Sequence, residues 1–457
     1  MSPPVSRLVA SLRGSLGRLR SDERGVILIM FATVLPVILA LTLSLIDYSR
    51  ATTMRLTLQS SLDAATLAAA KSTATTNSEI QSLGLRMLNA NLAASGFGPA
   101  KTATFTISPD LRVSGSATFD VPVTVASLVG RPTVAVGTSS EVARSSNNLE
   151  VGIALDITGS MAGTPLTEMK SAAKELVDLI VKDTQTPYYS KVALVPYASA
   201  VNVGSLADSI RGNLSNGRCD TPGCERYRFY NADNDRITYN ASTCVTERTG
   251  AEAYTDASPS GAKVGRQYIG SPSGDANRCP AATILPLTTN RATLKTSIDT
   301  YQAQGSTAGH IGLAWAWYMI SHNFGSLWPS AEARPAAYDT RELVKVVILM
   351  TDGAFNTAYA DGVLAKDSGF ASDAYQINKN ATNGTSHNQA LSLCGAIKQK
   401  GVILYTVGFN LNSNPARTLM QTCATSAAHA YLPSGGTALR DAFRAIAQEI
   451  NSLRISR

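Results

Sequence analysis

The longest uninterrupted apolar stretch of the chain runs from Val26 to Ile46, VILIMFATVLPVILALTLSLI, 21 positions without a charge. As a helix it rises about 31 Å, enough to cross the hydrocarbon core of a bilayer. Thr33, Thr42 and Ser44 are spaced to bond back to helix carbonyls, and Pro36 is tolerated in lipid as a kink. The helical pattern continues from Asp47 to Lys71, where Met54, Leu58, Leu62 and Leu67 fall near helical spacing among alanines. This predicts a helical stalk within 47–100. From Lys101 to about Val142 the period changes to two, TATFTISPDLRVSGSATFDVPVTVASL, with turns expected at Ser108-Pro109-Asp110 and at Gly115. That pattern predicts a small β-rich unit over 101–145. Ser145 to Asn148 read as the linker out of it.

A second pattern begins at Leu149. LEVGIALDIT reads as a buried strand with a polar end, and Pro165 to Lys182 as an amphipathic helix with Met169, Ala173, Leu176, Leu179 and Ile180 on one face. KVALVPYAS (191–199), LVKVVILMTDG (343–353) and GVILYTVGF (401–409) read as further strands, and ALRDAFRAIAQEINSL (438–453) as the closing helix. Strands alternating with helices predict an α/β fold, a doubly wound and mainly parallel sheet covered on both faces, over 149–455. Residues at about 205–285 break that rhythm. They are rich in Gly, Asn, Asp, Ser and Tyr and hold four cysteines, so a long stapled insertion between sheet elements is expected.

Charge fixes the orientation of the apolar run. The arm 1–25 holds Arg7, Arg13, Arg18, Arg20 and Arg24 against Asp22 and Glu23, a large share of the net charge of +7. A basic flank preceding the span 26–46 predicts a cytoplasmic N-terminus, with everything after Asp47 exported. A cleaved signal peptide would have a shorter apolar core and a small-x-small site, and Ile46-Asp47-Tyr48-Ser49-Arg50 is a poor one, so an uncleaved anchor is expected. The remaining charge is dilute and lacks RNP-like or zinc-finger spacing, so no nucleic-acid partner is expected.

The six cysteines form no CxxC, and none stands beside a histidine at metal-ligand spacing. An even number in an exported chain favours disulfides over buried thiols. Cys394 and Cys423 sit in helices flanking the strand 401–409 and are expected to pair. Within the insertion three pairings are possible, and the local Cys219 is expected to pair with Cys224, leaving Cys244 with Cys279.

The candidate chemistry lies at strand ends, where ligands bind in open α/β sheets. Asp156-Ile157-Thr158-Gly159-Ser160 offers a carboxylate and two hydroxyls at alternate positions of one tight turn. Met350-Thr351-Asp352-Gly353 offers a second Asp at a buried strand's exit, and Gly305-Ser306-Thr307-Ala308-Gly309 is a polar turn before a helix. Hard oxygen donors of this kind suit Mg²⁺, Mn²⁺ or Ca²⁺ rather than zinc. Singly, each Asp could be a helix cap and each hydroxyl a turn residue; five in this order are harder to explain that way.

DITGSM, GSTAGHIGLAW and VVILMTDG together resemble the metal-ion-dependent adhesion site of von Willebrand factor A domains. The resemblance implies one divalent cation, most simply Mg²⁺, held by Asp156, Thr158, Ser160, Thr307 and Asp352. A wider likeness covers nearly the whole chain: basic tail, single span, Asp47-Tyr48, LQSSLDAATLAAAK, a β-unit, then an A domain whose insertion holds Cys244-Val245-x-Glu247-Arg248, Cys279-Pro280 and Pro286-Leu287-Thr288. This is similar to the TadG-like proteins of the tight-adherence (Tad, or Flp) pilus assembly system. Pseudopilin relatives carry Glu five residues after a processing Gly, where this chain has Met30 after Gly25. The resemblance implies a single-pass bacterial inner-membrane protein whose exported domains bind other pilus-assembly or envelope proteins. A surface adhesin using the same A domain is one alternative reading. A metal-dependent hydrolase or chelatase-type component is another, although His310, His322, His387 and His429 are far apart in sequence and none lies in a nucleophile elbow, so no enzyme activity is expected. Asn231-x-Asp233-x-Asp235 lacks the later Gly and Glu of a Ca²⁺ loop and reads as a solvated turn.

Overall fold

The computed structural model describes residues 24–455 apart from 73, 75, 109–111, 126, 128–129, 131, 144–145, 213–224, 270–277 and 370–372. The basic arm up to residue 23, the Pro109-Asp110 turn and the Cys219–Cys224 pair lie outside the described residues. The chain divides into two compact units, Met1–Arg144 and Ser145–Arg457.

In the first unit, α1 (Arg24–Lys71) is one unbroken helix through Pro36. By length and composition it can cross a membrane, and its apolar side chains from Met30 to Ile46 are largely exposed. The hydroxyls of Thr33, Thr42 and Ser44 donate to the carbonyls of Met30, Ile38 and Ala40, so the run leaves little unpaired polarity. Helix α2 (Asn77–Ala94) starts at a capping box made by Thr76 and Glu79. Strands β1 (Thr102–Ile107), β2 (Arg112–Pro122) and β3 (Thr133–Ala143) form an antiparallel sheet in that order. The core side of α1 is Met54, Leu58, Leu62, Ala65 and Ala69, packed on Ile80, Leu88, Phe105 and Val113. Leu67 is not part of that stripe and is 44% exposed, because a step of five from Leu62 turns it off the face. Gly115 is not a turn either. It lies within β2, where a Cβ would come 2.5 Å from the Thr66 hydroxyl, so its absence lets α1 lie close to the sheet.

The second unit runs, in chain order, β4 (Asn148–Asp156), α3 (Thr164–Ile180), β5 (Ser190–Tyr197), β6 (Val201–Asn202), a short α4 (Ala207–Ile210), β7 (Arg226–Tyr230), β8 (Arg236–Thr246), β9 (Gly265–Ile269), β10 (Leu285–Thr288), α5 (Arg291–Asp299), α6 (Gly309–Tyr318), β11 (Leu343–Thr351), β12 (Tyr359–Ala360), β13 (Val363–Leu364), α7 (Ser386–Gln399), β14 (Ile403–Gly408), α8 (Asn414–Cys423), β15 (Ala430–Tyr431) and α9 (Gly436–Ile455). Five strands are parallel in the order β15-β14-β11-β4-β5, with β10 antiparallel beside β5. Helices cover both faces. Val151, Ile153 and Leu155 of β4 meet α3, α5 and α9 on one side, and α6, α7 and α8 close the other. On α3 the buried face is Met169, Ala172, Ala173, Leu176, Val177 and Ile180, with Leu179 turned outward. Each large aliphatic side chain buried there contributes about 1.5–3 kcal/mol.

The insertion is more ordered than its composition suggests. Strands β6, β8 and β7 continue the sheet beyond β5, and β9 pairs with β8. RYRFY alternates outward arginines with inward Tyr227 and Phe229, which join Tyr239, Tyr268 and Ile377 in a separate small core. The Asn231–Asp235 stretch is the β7–β8 turn, closed by the Asp235 amide on the Asn231 side-chain oxygen at 2.7 Å. Cys244 bonds to Cys279 (Cα–Cα 5.6 Å) and Cys394 to Cys423 (5.1 Å), the latter joining α7 to α8. All ten residues of α6 are buried. The insertion contributes to that cover: Arg248 lies over the Tyr318 ring at 4.9 Å. A helix covered all round needs no polar face, which explains the run AWAWY.

Candidate metal centre

Strands β4 and β11 are parallel neighbours, and the register sets Leu155 opposite Met350. One step further on, Asp156 therefore stands beside Thr351, whose hydroxyl donates to its Oδ2 at 2.7 Å. Asp156 Oδ1 accepts the Thr158 amide at 2.9 Å, the Asx turn that bends the chain out of the strand. The Thr158 and Ser160 hydroxyls are 3.0 Å apart, and Ser160 donates to Asp352 Oδ1 at 2.7 Å. Four of the five expected residues thus form one connected cluster. Thr307 is brought up through backbone contacts: Gly159 N donates to Gly305 O at 2.9 Å, and the Thr307 amide donates to Asn356 Oδ1 at 2.9 Å. Among the described residues, no hydrogen bond links its hydroxyl to the other four.

Asp156 is fully buried, Asp352 partly, and Ser160 is exposed, so the cluster opens to solvent on the Ser160 side. Burial and the neighbouring Asp352 charge push the Asp156 carboxyl up to about 6. Burial raises Asp352 as well, against the Ser160 hydrogen bond, which lowers it. Neither carboxylate has an ion-pair partner among the described residues. Two desolvated carboxylates at adjacent strand ends, with neutral donors only, form an arrangement that a cation would stabilise. The two carboxylates and the Thr158 and Ser160 hydroxyls are hard oxygen donors of the kind that suits Mg²⁺, Mn²⁺ or Ca²⁺. Among the described residues no group of three or more His, Cys, Asp or Glu is placed to hold a metal.

Three supporting residues escaped the sequence reading. Thr351 and Tyr197 both donate to Asp156 Oδ2, the latter at 3.3 Å while also bonding Met350 O at 2.8 Å. Asn356 holds the Thr307 loop. The visible signal was polar atoms at the ends of otherwise apolar strands, in VPY and LMT. His310, the second residue of α6, lies beside Glu247, with Nε2 3.8 Å from Oε2.

Among solved structures, the vWF domain of the type V pilus tip protein Mfa5 from Porphyromonas gingivalis is similar at 13% identity and a TM-score of 0.37, over 68% of this chain and 97% of that one. The adhesive tip pilin GBS104 from group B Streptococcus agalactiae is similar at 14% identity and 0.39, over 66% and 100%. The pilus adhesin SpaC from Lactobacillus rhamnosus GG is similar at 12% and 0.36, over 76% of this chain but only 34% of that one. No curated protein sequence matches the chain. Residues 25–72, nearly all of α1, match the Tad family model, Flp pilus-assembly TadE/G-like, so the chain carries a TadE/G-like segment at its N-terminus.

Proposed function

We propose that this chain is a membrane-anchored, metal-dependent protein-binding module of a Flp (Tad) pilus assembly apparatus, its second unit being a doubly wound von Willebrand factor A domain. The observation that carries the reading is the convergence of Asp156 and Asp352 with the Thr158 and Ser160 hydroxyls at the ends of adjacent parallel strands, without a balancing positive charge. A strand order of β10-β5-β4-β11-β14-β15, with the direction of winding reversing between β4 and β11, puts that cluster where open α/β sheets bind ligands. The TadE/G-like match supports the pilus context and the anchor; the basic arm supports an inward N-terminus.

On this reading Asp156, Thr158, Ser160, Thr307 and Asp352 hold a Mg²⁺-like ion, some through water. The ion supplies a positive centre that an acidic side chain of a partner protein can meet. The chain does the rest. Thr351 and Tyr197 fix the Asp156 carboxylate, Asn356 fixes the Thr307 loop, and the exposed Ser160 side leaves room for a partner. The test is capture of partners from envelope extract by wild type and by Asp156→Ala, with Mg²⁺ and then with EDTA. Loss of the same partner on chelation and on mutation is expected. Capture indifferent to both would overturn the metal-dependent mechanism.

A further inference from the structure

Just past the end of β8, the insertion places Glu247 and Arg248 in the interior, on the same cavity wall as His310 of α6. The Glu247 side chain is 6% exposed and that of His310 1%. One carboxylate oxygen of Glu247, Oε1, accepts the Tyr359 amide of β12 at 2.9 Å and the Gln389 side chain of α7 at 3.4 Å. The other, Oε2, meets no donor among the described residues, and neither ring nitrogen of His310 has a partner there. Arg248 donates from its two terminal nitrogens to Thr255 O at 3.2 Å and Ala257 O at 2.7 Å, while its Nε–H has no acceptor among the described residues. Buried polar atoms are almost always paired, so several unpaired ones on one wall point to a small polar ligand.

The cavity that these side chains line, together with Gln389, Trp315 and Tyr318, measures about 10 Å³. That is room for about one water molecule. His310 Nε2 lies 3.8 Å from Glu247 Oε2, too far for a direct hydrogen bond. One water spans that gap with two bonds of about 2.8 Å meeting at about 85°. A metal ion fits less well. It would find one carboxylate oxygen and one imidazole nitrogen, where zinc sites use about three or four protein ligands, and the Arg248 guanidinium on the same wall would repel it. Water is neutral, and it can donate to the carboxylate while serving the imidazole as donor or acceptor.

We infer that this cavity holds one ordered water bridging Glu247 Oε2 and His310 Nε2, and that Glu247 is thereby the joint that seats the insertion on α6. Through its two oxygens a single carboxylate then ties the end of β8 to three elements: β12 by the Tyr359 amide, α7 by Gln389 and α6 by the water. His310 stands three residues past Thr307, so the joint also holds the start of the helix into which the Thr307 turn leads. The water site stands whether or not a cation is bound at Asp156.

Crystals of the full chain in detergent, diffracting well enough to show ordered water, test the site on the wild type. One density peak within hydrogen-bond distance of both Glu247 Oε2 and His310 Nε2 is the expected result. A direct bond between the two side chains overturns the site, and so does an anomalous scatterer at about 2.1 Å from the ring nitrogen, which would be a metal. The joint is tested by hydrogen exchange of the full chain at the Tyr359 amide, across Glu247 from the water. His310→Leu should speed that exchange by about threefold or more, and His310→Gln, whose amide can still reach the water, should stay near wild type. Unchanged exchange in His310→Leu overturns the joint. Exchange as fast in His310→Gln as in His310→Leu assigns the effect to packing of the ring and overturns it too. The wild-type crystals decide the water site even if His310→Leu does not fold.

Discussion

Replacing Gly152 by alanine tests how rigidly the sheet sets the cluster. Gly152 lies mid-strand in β4, between Val347 of β11 and Ala193 of β5. A Cβ there would come 2.1 Å from the carbonyl oxygen of Ala316 in α6 and 3.0 Å from its carbon. Ordinary contact begins at 3.4 Å, so α6 must lift by about 1.3 Å. The strand cannot retreat, because it is paired on both edges and Val151 and Ile153 fill the opposite core. The obstacle is helix backbone, which has no rotamer to change. Overpacking costs typically about 1–3 kcal/mol, and a site without escape belongs at the top of that range. The same lift draws Thr307, two residues before α6, away from Asp156 at the end of β4. On the proposed reading, cation affinity should fall on the order of tenfold to a hundredfold, as when residues supporting a metal site are altered. Trp315, Trp317 and Trp328 are buried and report unfolding directly. In urea, with a slope near 3 kcal/mol/M, the midpoint should drop by about 1 M. Gly395→Ala is the control: its Cβ meets nothing within 4 Å in the middle of α7, so it should stabilise by about 0.5–1 kcal/mol. A Gly152→Ala protein with unchanged midpoint and unchanged Mg²⁺ response would refute the argument.

In EDTA, stability of the second unit should fall as pH climbs from about 4 through about 6. The raised Asp156 carboxyl keeps a proton in the folded chain that the unfolded chain has lost, so its contribution is present below the unfolded value of 3.8 and vanishes above the folded one. Thermal unfolding across that window should show the fall, and Mg²⁺ should reduce it. The double variant Cys394→Ser/Cys423→Ser opens a crosslink spanning 29 positions and should cost about 3–4 kcal/mol by loop entropy, read as a lower urea midpoint; an unchanged midpoint would count against a stabilising role. Asp47→Ala removes the acceptor for two backbone amides, so hydrogen exchange at Thr124 and Val125 should accelerate; unchanged protection would mean that the contact does not hold the β-unit.

What the sequence revealed depended on whether the cause was local. The uncharged run 26–46 and the strands ending at Asp156 and Thr351 are written in composition and period, and their ends place Asp156, Thr158, Ser160 and Asp352 within reach of one another. Cys394 and Cys423 were legible because they flank a single strand. The supports of Asp156 were not, because Thr351 reaches it only in the register that sets Leu155 beside Met350, and Tyr197 only because β5 lies on the other side. The strands of the insertion were hidden by arginines, whose outward alternation with Tyr227 and Phe229 is a two-residue period in a polar disguise. Gly115 looked like a turn because the packing of α1 against β2, which excludes a side chain there, is a long-range contact.

The cluster also shows where this fold gives up stability. Asp156 is surrounded by donors, the Thr158 amide and the Thr351 and Tyr197 hydroxyls, yet its carboxyl still rises to about 6. Neutral hydrogen bonds therefore do not offset burial plus the charge on Asp352. An ordinary core would resolve this with a buried cation, as Lys345 does for Glu150 on the same two strands, β11 and β4. That pair lies near the opposite end of the strands, so the sheet can accommodate a fixed positive charge, and here it has none. On the proposed reading the deficit itself gives the site its use. A resident lysine would neutralise the carboxylates permanently, whereas an exchangeable cation beside the exposed Ser160 neutralises them and can still meet a partner's carboxylate. Placing lysine at Thr351 tests this directly. Thr351→Lys should stabilise the unit in EDTA and abolish both Mg²⁺-dependent stabilisation and partner capture. A variant that gained stability yet still captured partners in a Mg²⁺-dependent way would show that the cation acts elsewhere.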